Sequence, residues 1–220
     1  EVAIPRIETI WTYRADRTGV KDSFWGKALP TWYNNSETGT ACTLTTGVIL
    51  WPIVRLLRAI HDTPALKALW SRVEGWIPLC RESVAMHDYE WVEFPDGSGM
   101  HLEPYPKGPG RVYPRGGSRI NPFNREYAFT MPVLHLGRIL GEPVYLRQVE
   151  MAARFLRKHC ERTAEGGLEW EYEEAVHPAM GEDIDHACAQ VYFIDLCAAE
   201  GLVFTEADVR SVATTLARRV

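Results

Sequence analysis

The segment from Met100 to Arg125 holds most of the side chains that could carry out chemistry. Histidine and tyrosine there can give or take a proton, and arginine and asparagine can neutralise a carboxylate. Removing a proton from the carbon next to a carboxylate needs both kinds of group, because negative charge builds up as the proton leaves. The candidate catalytic residues are His101, Tyr105, Tyr113, Arg115, Asn121, Asn124 and Arg125. In the alternative interpretation, the tyrosines only fix a loop to the core and the arginines are solvated.

An acidic and histidine cluster, Glu182, Asp183 and His186, stands at the start of a predicted helix. Carboxylates are favoured beside the positive end of a helix, and a spacing of three to four residues puts a carboxylate and the imidazole on one face. The cluster could hold a divalent metal ion, with Glu169 or Glu171 reaching across. Capping of the helix N-terminus is the alternative. The sequence therefore predicts either no cofactor or a divalent metal bound by Glu182, Asp183 and His186.

Aromatic and amide side chains outside the helical patterns are candidates for binding a sugar. An indole or phenol ring can stack on the face of a sugar ring, and amides and carboxylates can bind its hydroxyl groups. The loop before the first long helix mixes such groups, although it could equally be an ordinary capped start of that helix. The candidate substrate-binding residues are Trp32, Asn34, Asn35, Glu37, Trp91, Trp170 and Tyr172. The helical histidines His61, His135 and His159 are interpreted as structural.

These candidates lie between segments with the apolar periodicity of helices. The predicted helices are Leu44–His61, a second from Thr63 through Pro64 towards Met86 that Pro78 disturbs near its end, Asn124–Leu140, Pro143 to about His159, Asp183–Glu200, and Thr205–Arg219 with Thr205 and Asp208 as its cap. Gly- and Pro-rich segments separate the pairs: an irregular excursion from His87 to Asn121 and a shorter one from Thr163 to Gly181, with a strand at Leu168–Tyr172. The pattern predicts an all-α fold of three helical hairpins whose loops converge at one rim.

Composition places the chain among globular proteins and argues against two classes of partner, nucleic acids and membranes. With 220 residues, of which 46% are hydrophobic, one domain spanning residues 1–220 is expected. A net charge of −5 with interspersed signs gives no field that would hold a nucleic acid. A membrane partner is not expected either, because the most apolar stretch, Val48–Ile60, is interrupted by proline and arginine. The chain is expected to be soluble; the oligomeric state and the compartment stay open, a secreted or periplasmic location being one option.

Several hairpin segments have a recognisable likeness. They are Asn121–Glu126, Leu134–Arg138, Gly141–Leu146 and Ala152–Leu156, followed by Trp170–Tyr172 and Gly181–Ala187. Together they resemble the hairpins of α/α-toroid carbohydrate-active proteins, with glucuronyl epimerases and toroidal polysaccharide lyases as the nearest families. The resemblance implies an α/α-toroid, or a partial toroid, of antiparallel helical hairpins with long rim loops and a short β-hairpin or strand. A full toroid has more than three hairpins, so the chain could be a fragment of a longer one.

The resemblance implies a carbohydrate-active enzyme, a lyase or an epimerase, that abstracts a proton next to a uronate carboxylate. The substrate is then a glycan or a smaller molecule, the acid or base is one of the tyrosines or His101 named above, and the arginines and asparagines neutralise charge. Two alternatives stay open. One is a metal-dependent toroid enzyme that acts on a small metabolite, and the other is a helical scaffold that binds a glycan or peptide without turnover.

Overall fold

The computed structural model describes residues 2–33, 40–103, 119–170 and 184–219, which are mostly helical with small antiparallel sheets. The helices are α1 (Ala3–Thr12), α2 (Ala15–Thr18), α3 (Thr43–Asp62), α4 (Trp70–Val73), α5 (Trp76–Ala85), α6 (Phe123–Leu140), α7 (Pro143–Lys158), α8 (Ile184–Ala199) and α9 (Glu206–Arg219), with 3₁₀ turns at Pro64–Leu69 and Asp88–Glu90. The strands are β1 (Trp91–Glu93), β2 (Gly99–Glu103), β3 (Arg119–Ile120), β4 (Cys160–Arg162) and β5 (Leu168–Trp170). The predicted predominance of helix is therefore confirmed.

A β-hairpin occupies part of the 87–121 segment, which was predicted to be irregular. β1 and β2 pair antiparallel with Trp91 opposite His101, and β3 pairs with the other edge of β2. The turn between β1 and β2 contains Asp96, whose carboxylate accepts a backbone N–H at 3.0 Å, and Gly97, whose φ is +79°. An Asp-Gly pair is a strong hairpin signal, so a turn signal present in the sequence explains why the segment is not irregular.

A second, smaller sheet joins β4 and β5 in antiparallel pairing, with Cys160 opposite Trp170. The predicted strand Leu168–Tyr172 is confirmed as far as Trp170, and Tyr172 lies outside the described residues. A turn containing Gly166, at a φ of +84°, connects the two strands.

The long helices α3 and α6 run side by side in the same direction. Near their starts, the Asn121 side-chain amide, just before α6, donates to the Thr43 hydroxyl at 2.7 Å. Further along, Arg58 of α3 lies 3.4 Å from the imidazole of His135 on α6. α8 runs parallel to α6 as well, since the ring of Phe193 stacks on Tyr127 with centroids 4.6 Å apart, and the last residues of both helices meet. Three parallel helices therefore form the centre of the fold.

The helices α7 and α9 return antiparallel to α6 and α8 and complete two hairpins. The Tyr127 hydroxyl of α6 donates to the Ala152 carbonyl of α7 at 3.3 Å, and Gly141 makes the turn between them at a φ of +65°. At the start of α9 the Asp208 carboxylate accepts the Thr205 backbone N–H at 3.0 Å and its hydroxyl at 2.8 Å. The predicted hairpin α6–α7 and the predicted Thr205–Asp208 cap are thus confirmed.

The prediction of one continuous second helix, from Thr63 towards Met86, is wrong. The structure has a 3₁₀ turn, the single turn α4 and then α5, with Gly75 at the break. Thr63 makes no side-chain capping bond. Pro78 lies in the first turn of α5 and not near its end. Its missing N–H costs no hydrogen bond at this position, because the N–H groups of a first turn have no intrahelical partner.

The N-terminal residues form α1 and α2, which were not predicted from the sequence. The buried face of α1 consists of Ile4, Ile7 and Trp11. Next to it the guanidinium group of Arg14 is almost fully buried and binds the carboxylates of Asp16 and Glu82, each at 2.8 Å. Burial alone would lower the pKa of Arg14, but the hydrogen bonds and charges of the two carboxylates outweigh it and raise the pKa. This ion pair fastens the N-terminal helices to α5.

Among the described residues, α3 has the length and apolar composition of a membrane-crossing helix. A core helix of a globular protein passes the same test, and Leu50, Ile53 and Leu57 of α3 are completely buried in the hydrophobic core. The position of α3 at the centre of the fold accounts for its composition.

α3 meets the backbone of α6 at Gly47. A Cβ atom at this position would lie 2.5 Å from the Ala128 carbonyl oxygen and 2.6 Å from the Cα of Phe129. The Ala128 carbonyl lacks its usual donor four residues on, because Pro132 has no N–H, so this oxygen is not covered by its own helix. Since both atoms are backbone and cannot rotate away, only glycine fits at position 47.

Glu200 joins the far ends of the three parallel helices. Its carboxylate lies 2.6 Å from Arg58 of α3 and 2.8 Å from Arg138 of α6. Beside it His135 is only 9% exposed and its ring packs on Trp51, with centroids 5.1 Å apart. Burial, with the charge of Arg58, lowers the pKa of His135 to about 4. His135 is therefore neutral at pH 7 and takes part in helix packing.

Replacing Gly47 by alanine is expected to lower the free energy of unfolding by about 2–3 kcal/mol, because the added methyl group overpacks the contact between α3 and α6. Gly75→Ala is the matched control, since no atom lies within 4 Å of the position that its added methyl group would take and its φ is −64°. That change should leave the stability unchanged or raise it by about 0.4–1 kcal/mol. Urea unfolding followed by circular dichroism measures both. Equal effects of the two substitutions would contradict the close contact.

His135 should also make the protein less stable in acid. The unfolded chain binds a proton at this residue near pH 6.5, whereas the folded protein binds it only near pH 4. Stability is therefore lost as the pH falls from 6.5 to 4, by about 3 kcal/mol from this group. Unfolding of the wild type and of His135→Phe at pH 7 and pH 4 should show the larger acid loss in the wild type. Identical losses would rule out the depressed pKa.

Candidate functional site

His101 and Glu126 form a buried imidazole–carboxylate pair. His101 lies on β2 and Glu126 in the first turn of α6, and their side chains are 2% and 0% exposed. His101 Nδ1 is 3.0 Å from Glu126 Oε1, and the His101 backbone N–H donates to Oε2 at 3.1 Å. The Thr130 hydroxyl, one turn on in α6, lies 3.3 Å from the same carboxylate. The carboxylate therefore fixes the ring orientation, and it fixes the strand that carries the ring.

The pKa of His101 is raised above its ordinary value of 6.5. Burial lowers this pKa, but the charge and hydrogen bond of Glu126, with the charges of Glu90 and Asp88, outweigh burial. Asp88 is itself exposed, but partial burial raises the pKa of its carboxyl group. The charges of His101 and His87 lower that pKa without outweighing the burial. His101 thus keeps its proton to a higher pH than free histidine. A held proton suits a group that donates to a leaving oxygen or faces a carboxylate.

The other side of His101 faces two partly exposed side chains. The Trp91 ring, on the neighbouring strand, meets the imidazole edge-to-face with centroids 5.0 Å apart. His101 Nε2 is 3.3 Å from the side-chain nitrogen of Gln148 on α7. When the imidazole is neutral, its Nε2 accepts a hydrogen bond from this amide N–H. When it is protonated, Nε2 carries a hydrogen and must donate it to the amide oxygen of Gln148. Trp91 and Gln148 are therefore two partly exposed side chains that contact His101.

A second buried pair, His87 and Glu90, lies close to the first. His87 Nδ1 is 3.0 Å from Glu90 Oε1, and Nε2 is 2.8 Å from the Thr46 hydroxyl on α3. The rings of His87 and His101 both contact Phe129 edge-to-face, at centroid distances of 4.9 and 4.8 Å. Two imidazole–carboxylate pairs thus flank one aromatic ring.

The structure distributes the other candidate catalytic residues over different sides of α6. Asn121 is buried and bonded to Thr43, so its amide is already used. Asn124 lies roughly 200° around the helix from Glu126, which puts it on the opposite side from His101. Its side-chain oxygen is buried and has no hydrogen-bond partner among the described residues, and Arg125 is partly exposed. Tyr105, Tyr113 and Arg115 lie outside the described residues.

Of the candidate sugar-binding residues, Trp91 alone among the described ones contacts a candidate catalytic residue in the structure. Trp32 is 5% exposed, packs on Trp11 and donates its indole N–H to a backbone carbonyl at 3.2 Å, so it has no open ring face. Trp170 is partly exposed, and its buried indole nitrogen has no hydrogen-bond partner in the described part of the chain. The others, Asn34, Asn35, Glu37 and Tyr172, lie outside that part.

The predicted metal site falls mostly outside the described residues. Glu182 and Asp183 are among the undescribed ones, and His186 is exposed in the first turn of α8. Within residues 2–33, 40–103, 119–170 and 184–219, no group of three or more histidine, cysteine, aspartate or glutamate side chains could hold a metal ion. The described residues therefore provide no metal centre of their own.

Sequence reasoning found His101 and Trp91 but missed Glu126, Gln148 and the His87–Glu90 pair. His87 and Glu90 are three residues apart, a spacing that favours contact within a turn and could have signalled the pair. The partners of His101 lie 25 and 47 residues further along the chain, on α6 and α7. No local pattern reports such a long-range pairing.

The comparisons with known proteins leave the family of this chain open. No family model, curated protein or solved structure matches the chain. The arrangement of Trp91, His101, Glu126 and Gln148 therefore carries the functional argument by itself.

Proposed function

We propose that this chain is a carbohydrate-active enzyme that moves a proton at the carbon next to a uronate carboxylate, as a lyase or an epimerase. The observation that carries the proposal is the contact between Trp91 and His101, with Glu126 bonded behind the imidazole. A partly exposed indole offers a face for a sugar ring. An imidazole that a buried carboxylate orients is the usual arrangement of a general acid or base.

The proposed reaction divides the work between His101 and the segment that follows it. A tyrosine side chain in its ionised form, Tyr105 or Tyr113, takes the proton from the carbon next to the carboxylate and becomes a neutral phenol. In a lyase the electron pair then expels the oxygen on the neighbouring carbon and leaves a double bond, and His101 gives that oxygen its proton. In an epimerase His101 instead gives its proton to the opposite face of that carbon. Arg115 or Arg125 neutralises the carboxylate while it carries extra charge.

The α/α-toroid assignment belongs to the same proposal. Support comes from the parallel course of α3, α6 and α8 and from the antiparallel returns of α7 and α9, which are the inner and outer layers of such a fold. The segments predicted to hold site residues precede α3, α6 and α8 in the sequence, and these three helices run parallel. Salt bridges from Glu200 to Arg58 and Arg138 hold the ends of these three helices together.

A second candidate function is a scaffold that binds a glycan without turnover. The burial of His101 and the bonding of both its nitrogens favour this candidate, because a fully satisfied imidazole can serve structure alone. It predicts saturable binding of a ligand that stays chemically unchanged. A metal-dependent enzyme, with Glu182, Asp183 and His186 as ligands, remains a third candidate and differs from the others in its sensitivity to a chelator.

The test is incubation of the purified chain with a panel of uronate glycans in heavy water, with and without EDTA. Ultraviolet absorbance detects the unsaturated sugar of a lyase, and mass spectrometry detects the deuterium that an epimerase inserts. His101→Gln is expected to lower turnover by about 10²–10⁴-fold, because general acid–base catalysis contributes that much. Tyr105→Phe or Tyr113→Phe should cause a comparable loss.

Tyr13→Phe is the matched control for the tyrosine variants, since Tyr13 is 68% exposed at the end of α1 and should leave turnover unchanged. Full turnover in His101→Gln would remove His101 from the reaction. Binding without any chemical change, across the whole panel, would replace the enzyme by the scaffold, and loss of turnover with EDTA would favour the metal-dependent candidate.

A further inference from the structure

The His87–Glu90 pair has no role in the proposed reaction and yet is as deeply buried and as fully bonded as the pair that has one. Both side chains are buried, and His87 is bonded at both nitrogens, to Glu90 at 3.0 Å and to Thr46 at 2.8 Å. The Thr46 hydroxyl is in turn 2.5 Å from that of Thr31. Burying ionisable side chains costs free energy that hydrophobic residues in the same place would not. Such a pair invites a function beyond packing.

The geometry connects this pair to His101. Both imidazoles contact the ring of Phe129, at centroid distances of 4.9 Å for His87 and 4.8 Å for His101, so one packed aromatic side chain touches both pairs. Glu90 directly precedes β1, whose first residue, Trp91, is the cross-strand partner of His101. Because both pairs are buried and share this aromatic neighbour, charges there interact more strongly than across solvent. Glu90 therefore acts on the charge of His101 through a poorly screened medium.

The other groups that act on the imidazole of His101 can be named from each neighbouring element. α6 contributes Glu126, the 3₁₀ turn contributes Asp88 and Glu90, and α7 contributes the neutral amide of Gln148. Glu126 touches the ring, and Asp88 is exposed to solvent and so is screened. Glu90 is the remaining buried carboxylate, and His87 is its only described hydrogen-bond partner.

We propose that His87 and Glu90 are positioning residues that set the proton affinity of His101: Glu90 attracts a proton to His101, and His87 limits that attraction by engaging Glu90. As a catalytic role, this rests on the proposed function of His101 as an acid. The coupling itself rests only on the arrangement of the two pairs around Phe129. His87 and Glu90 contact no substrate in this scheme.

The experiment is an NMR titration of the His101 imidazole in the full chain without any substrate, with the His101→Gln variant identifying the signal. Glu90→Gln keeps the shape and the acceptor oxygen of the side chain but removes its charge. The pKa of His101 is expected to fall by roughly one, as for a unit charge about 10 Å away at an effective dielectric constant of about 20. His87→Gln should change it in the opposite direction, because a side-chain amide is a weaker hydrogen-bond donor to Glu90 than the imidazole.

Glu93→Gln is the matched control, three residues along the chain, where an exposed carboxylate pairs with Arg147 at the surface. It should leave the pKa of His101 within a few tenths of the wild-type value. Glu90→Asp keeps the charge and should also stay near the wild type. If either Glu90→Gln or His87→Gln does not fold, the direction of the change in the His101 pKa of the other variant tests the coupling.

A His101 pKa that responds to neither Glu90→Gln nor His87→Gln would overturn the coupling. The glycan assay is a separate measurement, so the two proposals can fail independently. A shifted pKa with no turnover on any uronate would keep the coupling and reject the enzyme. Turnover with an unresponsive pKa would keep the enzyme and reject the role of His87 and Glu90.

Discussion

The contact of α3 with the α6 backbone at Gly47 is the constraint on which the rest of the structure depends. The contact lies where Pro132 leaves the Ala128 carbonyl of α6 without a helical donor. Gly47 of α3 can approach this carbonyl closely because it has no Cβ atom. The ring of the next residue, Phe129, contacts both imidazoles. The approach of the helices therefore also sets the spacing of the two buried ionisable pairs.

Charged groups are concentrated at both ends of the three parallel helices. At one end the His101–Glu126 and His87–Glu90 pairs are enclosed between α3, α6 and the β-hairpin. At the other end Glu200 holds arginines from α3 and α6 together. The second group is partly exposed and lies at the helix C-termini, where cations are favoured, so packing explains it. The first group is deeply buried, and the desolvation cost of burying ionisable side chains means that stability alone does not explain it.

Local signals in the sequence were enough to predict most of the helices. Gly141 followed by Pro143 gave the α6–α7 turn, and Thr205 with Asp208 gave the start of α9, because in both cases the residues that decide the conformation are neighbours in the chain. The hairpin between β1 and β2 had such a signal at Asp96 and Gly97, which the many surrounding glycines and prolines obscured. α1 was not predicted because its apolar face is short and its anchor, Arg14, binds a carboxylate on α5.

The site was predictable only in part, for a physical reason. His101 and Trp91 were recognised from their residue types, but their contact depends on the register of β1 and β2. Glu126 and Gln148 reach His101 from two different helices, and nothing in their local sequence marks them as its partners. Trp32 has the same residue type and a similar loop position as Trp91, yet it is buried against Trp11, since burial is decided by the tertiary contacts.

Ligand binding at Trp91 and Gln148 tests the central claim most directly, because both side chains carry N–H groups that NMR can observe one by one. The measurement is a titration of a uronate oligosaccharide into the nitrogen-15-labelled chain. The account predicts that the Trp91 indole and the Gln148 amide signals shift together and saturate at one concentration of ligand, while the indole of buried Trp32 does not move. Saturable binding that leaves Trp91 and Gln148 unchanged would contradict the assignment of the site.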